Sequence, residues 1–198
     1  MPSATPAEQA YAQRLQQLTI RGGLLRRIFD PQQLYGWHTR RLRPGFLLDV
    51  GCGIGRILGH VHGNGVGVDA NPACVEAACA QGFSAYTSEE LERVRAALLG
   101  RFDSLVLSHV LEHVDQSAGD ELLRNYLDLL RGDGQIIVIC PQRRGQSSDA
   151  THVRLVGPTE IEQLASRLGL RVALVRSFPF PRFAGRWFTY NETVAVLR

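Results

Sequence analysis

The sequence predicts an α/β fold, a doubly wound and mostly parallel sheet covered by helices on both faces. Three features lead there. Between residues 46 and 140 short apolar runs alternate with helical stretches, and strands joined through helices run parallel because each crossover returns the chain to the same end of the sheet. The first run passes straight into Gly51-Cys52-Gly53-Ile54-Gly55, a turn at the C-terminal end of a strand, where such sheets bind ligands. Residues 171–177 and 192–197 are two further strand-like runs with no helix between them, which predicts a closing hairpin at the sheet edge. With 198 residues, 44% hydrophobic and 21% charged, the chain reads as one domain over 1–198. Residues 1–45 then form an N-terminal helical arm, and 141–198 contribute a substrate-side loop and the closing strands.

The elements follow in order. Residues 11–28 have helical spacing, with Leu15, Leu18 and Leu25 among polar residues and Gly22-Gly23 as a weak point. After the Pro44-Gly45 turn, 46–50 is the first strand, 54–60 a short helix and 65–69 the second strand. Asn71 followed by Pro72 starts a helix as a cap and a proline at the first position should, with Val75, Ala78 and Cys79 inward and Gly82 as its stop. Residues 83–86 read as a third strand, 91–99 as a helix and 104–108 as a fourth, apolar strand. A helix over 120–130 is closed by Arg131-Gly132-Asp133-Gly134, and 135–140 is the fifth strand. Gly157-Pro158-Thr159 leads into a helix over 160–168.

Composition excludes several classes. Cys52, Cys74, Cys79 and Cys140 show no CxxC pairing, which argues against a zinc site or disulfide framework and for free, mostly buried thiols. The chain has no lysine, so no lysine nucleophile or Schiff base is available. Neither the start, Met1-Pro2-Ser3-Ala4, nor any later run suggests a signal peptide or membrane span, and a cytoplasmic protein is expected. The net charge of +3 is uneven: residues 1–45 sum to +5, 46–140 to −7 and 141–198 to +5. Basic ends around an acidic centre would suit an anionic substrate, although solvated arginines give the same count.

Asp49 is the most telling single residue. A helix N-terminus with free N–H groups favours anions, so a carboxylate at the mouth of the glycine loop argues against a pyrophosphate there. An ammonium, a sulfonium or neutral hydroxyls would tolerate it.

Further motifs extend the pattern. Asp49-Val50-Gly51-Cys52-Gly53-Ile54-Gly55 is joined by Gly67-Val68-Asp69 at the second strand's end, by residues 102–114, whose last six are His109-Val110-Leu111-Glu112-His113-Val114, by Leu130-Arg131-Gly132-Asp133-Gly134-Gln135, and by Thr151-His152-Val153-Arg154 before a helix. On these segments, spanning roughly residues 46–170, the chain resembles the class I S-adenosylmethionine-dependent methyltransferases, and among them small-molecule enzymes similar to those of quinone biosynthesis. The resemblance implies a Rossmann-like, seven-stranded sheet, mostly parallel with an antiparallel last strand, and S-adenosylmethionine as cofactor, released as S-adenosylhomocysteine.

It also implies tasks for particular residues. Gly51, Gly53 and Gly55, with Cys52 between them, let the backbone approach the methionine part closely. Asp49 would orient that loop or meet the amino group. Asp69, followed by Ala70, is placed for both ribose hydroxyls. Ser88 stands where many members carry an acid for adenine, and Ser108, His109 and Val110 would turn backbone carbonyls toward the cationic end.

The acceptor is expected to be a small molecule, anionic or aromatic, with no membrane and no nucleic acid as partner. Candidate general bases are His113 and His152; either could be structural, His113 by holding the turn after strand four. Residues 142–150 have the composition of a substrate lid. Tyr35, Trp37, His38, Phe180, Phe183, Trp187, Phe188 and Tyr190 could stack on a planar acceptor if exposed, and Arg143 and Arg144 could pair with its anion. The alternatives are a catalytically silent cofactor-binding or nucleic-acid-associated module and an NAD-binding oxidoreductase, whose GxGxxG would need glycine where Arg56 stands. His109-Val110-Leu111-Glu112-His113 also spells the HxxEH of a zinc peptidase family. That motif needs both histidines on one helix face, whereas His109 ends a strand, so no metal is expected.

Overall fold

The computed structural model describes residues 5, 9–10, 12–13 and 31–198. The helix expected over 11–28 therefore lies outside the described residues, apart from Ala12 and Gln13, which are helical. The arm's described helix is α1, Pro31–Arg41, whose last turn carries His38, Arg40 and Arg41 where cations suit the helix dipole. Seven strands form one sheet in the order β3-β2-β1-β4-β5-β7-β6. They are β1 Leu47–Val50, β2 Gly65–Asp69, β3 Ala85–Thr87, β4 Phe102–Ser108, β5 Leu130–Pro141, β6 Val172–Phe178 and β7 Glu192–Leu197. No helix of the described residues is long and apolar enough to cross a membrane.

The chain divides into two compact units, residues 1–97 and 98–198. In the first, β1 pairs in parallel with β2 and β2 with β3, and every residue of β1 is buried. The helix α2, Arg56–His60, follows the glycine turn. In α3, Pro72–Ala80, the Asn71 side chain accepts from the Ala73 N–H at 2.9 Å. Cys74, Val75 and Ala78 are buried, whereas Cys79 is exposed, against expectation. A helical repeat of 3.6 turns position 79 away from the stripe that 74, 75 and 78 share. The helix expected at 91–99 starts earlier, as α4, Ser88–Leu98. Thr87 and Glu90 cap it reciprocally: the Thr87 N–H donates to Glu90 Oε2 at 2.8 Å and the Glu90 N–H to Thr87 Oγ1 at 3.2 Å.

In the second unit β4 and β5 are parallel, and β7 is antiparallel to both β5 and β6. The last strand therefore sits inside the sheet and β6 takes the edge. Burial explains the exchange, since Thr193 to Leu197 are all buried whereas β6 is half exposed. The helix expected over 120–130 is α5, Gln116–Arg124, because Asp115 caps it by accepting from the Ala118 N–H. Asp120 instead holds both Nε and Nη2 of Arg167, at the end of α7, Pro158–Arg167. Arg131 to Gly134, expected as a helix stop, belong to an exposed start of β5, tied down by Arg131 to Asp103 and Asp133.

A buried polar knot joins the ends of β5, β6 and β7. Gln142 donates to Ser177 Oγ at 2.7 Å and to the Glu192 carbonyl at 3.0 Å, and Asn191 donates to Gln142 Oε1 at 3.0 Å and to Ser177 Oγ at 2.9 Å. The Ser177 hydroxyl in turn donates to the Phe180 carbonyl, so the knot fixes the start of the segment between β6 and β7. Gly185 packs so closely on it that a Cβ would lie 1.9 Å from Gln142 Oε1. Gly185→Ala is expected to lower stability by about 1–3 kcal/mol, by overpacking and loss of buried hydrogen bonds. Gly132→Ala, where a Cβ meets nothing within 4 Å, should stay within about 0.5 kcal/mol of wild type in the same urea melts.

Candidate functional site

The glycine turn is shaped by acceptors at the end of β2. Gly51, Gly53 and Gly55 have φ of 74°, 53° and 83°, a region that disfavours side chains. At Gly55 a Cβ would also meet the Phe83 ring at 2.6 Å. The Val68 carbonyl accepts from the N–H groups of Gly51 at 2.8 Å and Cys52 at 3.0 Å. Asp69 continues this work, with Oδ2 accepting from the Gly53 N–H and Oδ1 from the Asn71 N–H, both at 2.8 Å. One carboxylate thus ties the glycine loop to the start of α3. Burial raises the Asp69 pKa and the two N–H bonds oppose the rise. Each oxygen keeps a lone pair beyond these bonds.

Asp49 is fully buried, and neither of its oxygens has a hydrogen-bond partner among the described residues. Burial first, and then the nearby charge of Asp69, push its pKa up to about 8. Two carboxylates close together, one of them without a donor among the described residues, make a place short of positive charge. Burial likewise pushes the Cys52 and Cys74 thiols up, which makes them packing groups rather than nucleophiles. Ala70 is exposed beside Asp69, and Ser88 is exposed at the first position of α4.

In the second unit, β4 ends at Ser108 and the chain turns at His109, with φ 58° and its N–H donating to the Ile139 carbonyl at 2.8 Å. Its side chain has a partner on either side, with Nε2 2.9 Å from Glu192 Oε1 and Nδ1 3.1 Å from Glu112 Oε1. Burial works against a charged ring, but the hydrogen bonds and charges of the two glutamates outweigh it and raise the pKa to about 10. The two glutamates thus favour the charged imidazolium form of His109. In sequence only its carbonyl carries an expected role, because Glu192 lies eighty-three positions away and no local pattern links the two. Val110 follows, half-buried, before a single 3-10 turn, Leu111–His113. The two histidines of the HxxEH string therefore do not share an α-helix face.

His113 and His152 do meet, with ring centroids 4.7 Å apart and edges toward faces. The cause is a backbone clamp: the Val153 and Arg154 N–H groups donate to the Glu112 carbonyl, and Arg154 Nε donates to the carbonyls of Leu111 and Val114 at 3.1 and 2.9 Å. The polar stretch expected as a lid opens with a helical turn, α6, Arg143–Gln146. There Gly145 is buried against the Thr189 carbonyl. His38 is buried, which removes it from the expected stacking set. Trp37 lies under Arg41, 4.9 Å from its guanidinium carbon. Phe180, Phe183, Trp187, Phe188 and Tyr190 are all exposed, and Phe180, Phe188 and Tyr190 form an edge-to-face row.

Comparison with known proteins gives this arrangement a family. Residues 20–175 match the model of a methyltransferase domain. The chain belongs to that methyltransferase family. Its fold is that of the class I S-adenosylmethionine-dependent members. A SAM-dependent methyltransferase from Archaeoglobus fulgidus superposes with a TM-score of 0.64 at 20% identity, covering 84% of this chain and 94% of that one. Magnesium protoporphyrin IX methyltransferase from Synechocystis PCC 6803, crystallised with SAH, gives 0.67 at 15% identity over 95% and 94%. A TehB-like SAM-dependent methyltransferase from Corynebacterium glutamicum gives 0.64 at 22% over 98% of each chain. No curated protein matches the sequence.

Asp49 of this methyltransferase, buried and without a partner among the described residues, is expected to cost the fold stability. With its pKa near 8 against an ordinary 3.8, it costs the fold little below about pH 4 and progressively more as the pH rises toward 8. Asp49→Asn should therefore stabilise the ligand-free protein by about 1–3 kcal/mol at pH 8, and by much less at pH 5. Thermal melts at the two pH values check this.

Proposed function

We propose that this methyltransferase carries a methyl group from S-adenosylmethionine to a small-molecule acceptor. The observation that supports this most is the pair Asp49 and Asp69 at the left-handed glycine loop. A buried carboxylate without a donor among the described residues fits a ligand bearing an ammonium group, and a second carboxylate with lone pairs to spare fits vicinal hydroxyls. The first feature is hostile to the pyrophosphate of a dinucleotide, whereas an acid for ribose hydroxyls serves either nucleotide. Gly51, Cys52, Gly53 and Gly55 would hold the methionine part, Asp69 and Ala70 the ribose, and Ser88 the adenine edge.

When bound, S-adenosylmethionine supplies a methyl carbon that an acceptor lone pair attacks while the C–S electron pair leaves on sulfur. The protein's own share is alignment and exclusion of water, worth up to about 7–11 kcal/mol, and a destination for the acceptor's proton. His113 and His152 are the candidates for that last role. His152 Nδ1 lies 3.0 Å from the Gln146 carbonyl, which can only accept, so its lone pair is on Nε2. The Thr151 hydroxyl donates to Asp149 Oδ1 at 2.8 Å and stands 3.1 Å from His113 Nδ1, so that nitrogen carries the proton and His113 also presents Nε2. Among solved proteins of this fold, one acts on magnesium protoporphyrin IX and another is a glycopeptide N-methyltransferase. The exposed aromatic row with Arg143 and Arg144 suits a planar or anionic acceptor.

Calorimetric titration tests the reading. S-adenosylmethionine should bind saturably to wild type and at least tenfold more weakly, about 1.4 kcal/mol, to Asp69→Ala, while NAD should not bind. Saturable binding of NAD alone would sink the proposal.

A further inference from the structure

We propose that Glu112, His113 and His152 form a binding site for a divalent transition-metal ion. One ligand atom from each of the three lies within 4.8 Å of the others, two imidazole nitrogens and a carboxylate oxygen, a donor set that suits zinc, iron(II) or manganese(II). The trio differs from the HxxEH string, since His109 is turned toward Glu112 and Glu192 and the third ligand comes from the Thr151-His152 segment.

Three independent observations support it. First, both imidazoles are pre-oriented as metal ligands usually are, each with one nitrogen committed to an outer partner, the Gln146 carbonyl for His152 and the Thr151–Asp149 pair for His113. Their Nε2 lone pairs are left for a cation. Second, Glu112 is fully buried, and its two oxygens carry more lone pairs than its neighbours occupy. Its companions are the His109 ring, on Oε1, and the Cys140 thiol, so a buried anion retains coordinating capacity. Third, the Arg154 clamp and the Glu112 carbonyl fix the backbone of both histidine segments. Ligand atoms in a tetrahedral zinc site stand about 3.4 Å apart, from metal–ligand distances near 2.1 Å. Binding therefore asks the trio to close by an ångström or so, within reach of imidazole rotation.

Three protein ligands leave at least one coordination position open, as in catalytic rather than structural sites. The role that follows rests on the proposed methyl transfer: an acceptor oxygen taking the open position would lose its proton more readily, and the histidines would then serve as ligands instead of bases. Binding of the ion itself does not depend on that reading.

The test uses the full chain, freed of metal by a chelator and titrated with Co(II) followed by visible absorption, with Zn(II) uptake measured by equilibrium dialysis and elemental analysis. One equivalent should bind saturably, with Co(II) bands appearing, and His113→Ala and His152→Ala should each weaken binding at least tenfold. His62→Ala, at an exposed histidine in the other unit, should bind as wild type. Should either site variant misfold by circular dichroism, wild-type NMR decides: substoichiometric Mn(II) should broaden the His113 and His152 imidazole signals before those of His62. Substoichiometric uptake, unchanged binding in both variants, or broadening confined to other histidines overturns the site. Absent metal binding with normal S-adenosylmethionine binding overturns this inference alone, whereas loss of S-adenosylmethionine binding strikes at the methyltransferase reading.

Discussion

The N-terminal unit depends on what the end of β2 accepts. A loop with three left-handed glycines has no intrinsic reason to hold one shape, because glycine loses more conformational freedom on ordering than any other residue. The Val68 carbonyl takes two of its N–H groups and Asp69 takes a third while also holding Asn71. Asp69 is thus a structural acceptor first, and the ligand contact proposed for it would come in addition. The two roles are compatible because a carboxylate has more acceptor positions than two backbone bonds consume.

Asp49 illustrates the opposite arrangement. It sits buried in β1 without a donor among the described residues and is expected to lower the stability of the ligand-free protein. Natural cores seldom retain such a group unless something else compensates it. A cationic ligand would do so, and the same buried charge that weakens the fold would strengthen the complex. Stability and binding are then set against each other at one residue, in line with the general trade-off between a stable scaffold and a working site.

The C-terminal unit uses the same economy of acceptors. A single carbonyl, that of Glu112, receives two N–H groups from the segment carrying His152, and Arg154 secures the carbonyls on either side. The 3-10 turn is too short to hold itself, having few hydrogen bonds of its own, so the downstream segment completes it. The Gln142–Ser177–Asn191 knot does the corresponding work at the other strand ends, where the exposed aromatic row begins. Polar residues that look unremarkable in sequence thereby position the two histidines and the exposed aromatic row.

The sequence by itself determined the α/β class, the alternation of elements and the glycine turn, and it singled out Asp49 and Asp69 as carboxylates beside that turn. These are legible because strand and helix periodicity and glycine turns are properties of neighbouring residues. Element ends shifted where a better cap lay close by, as with Asp115 before α5 and Thr87 with Glu90 before α4. Only the tertiary structure decided that β7 would lie inside the sheet, that His109 would be held between Glu112 and Glu192, and that His152 would come to rest against His113. Those outcomes depend on contacts between residues far apart in the chain, whose energies are set by burial and hydrogen-bond geometry that no local pattern carries.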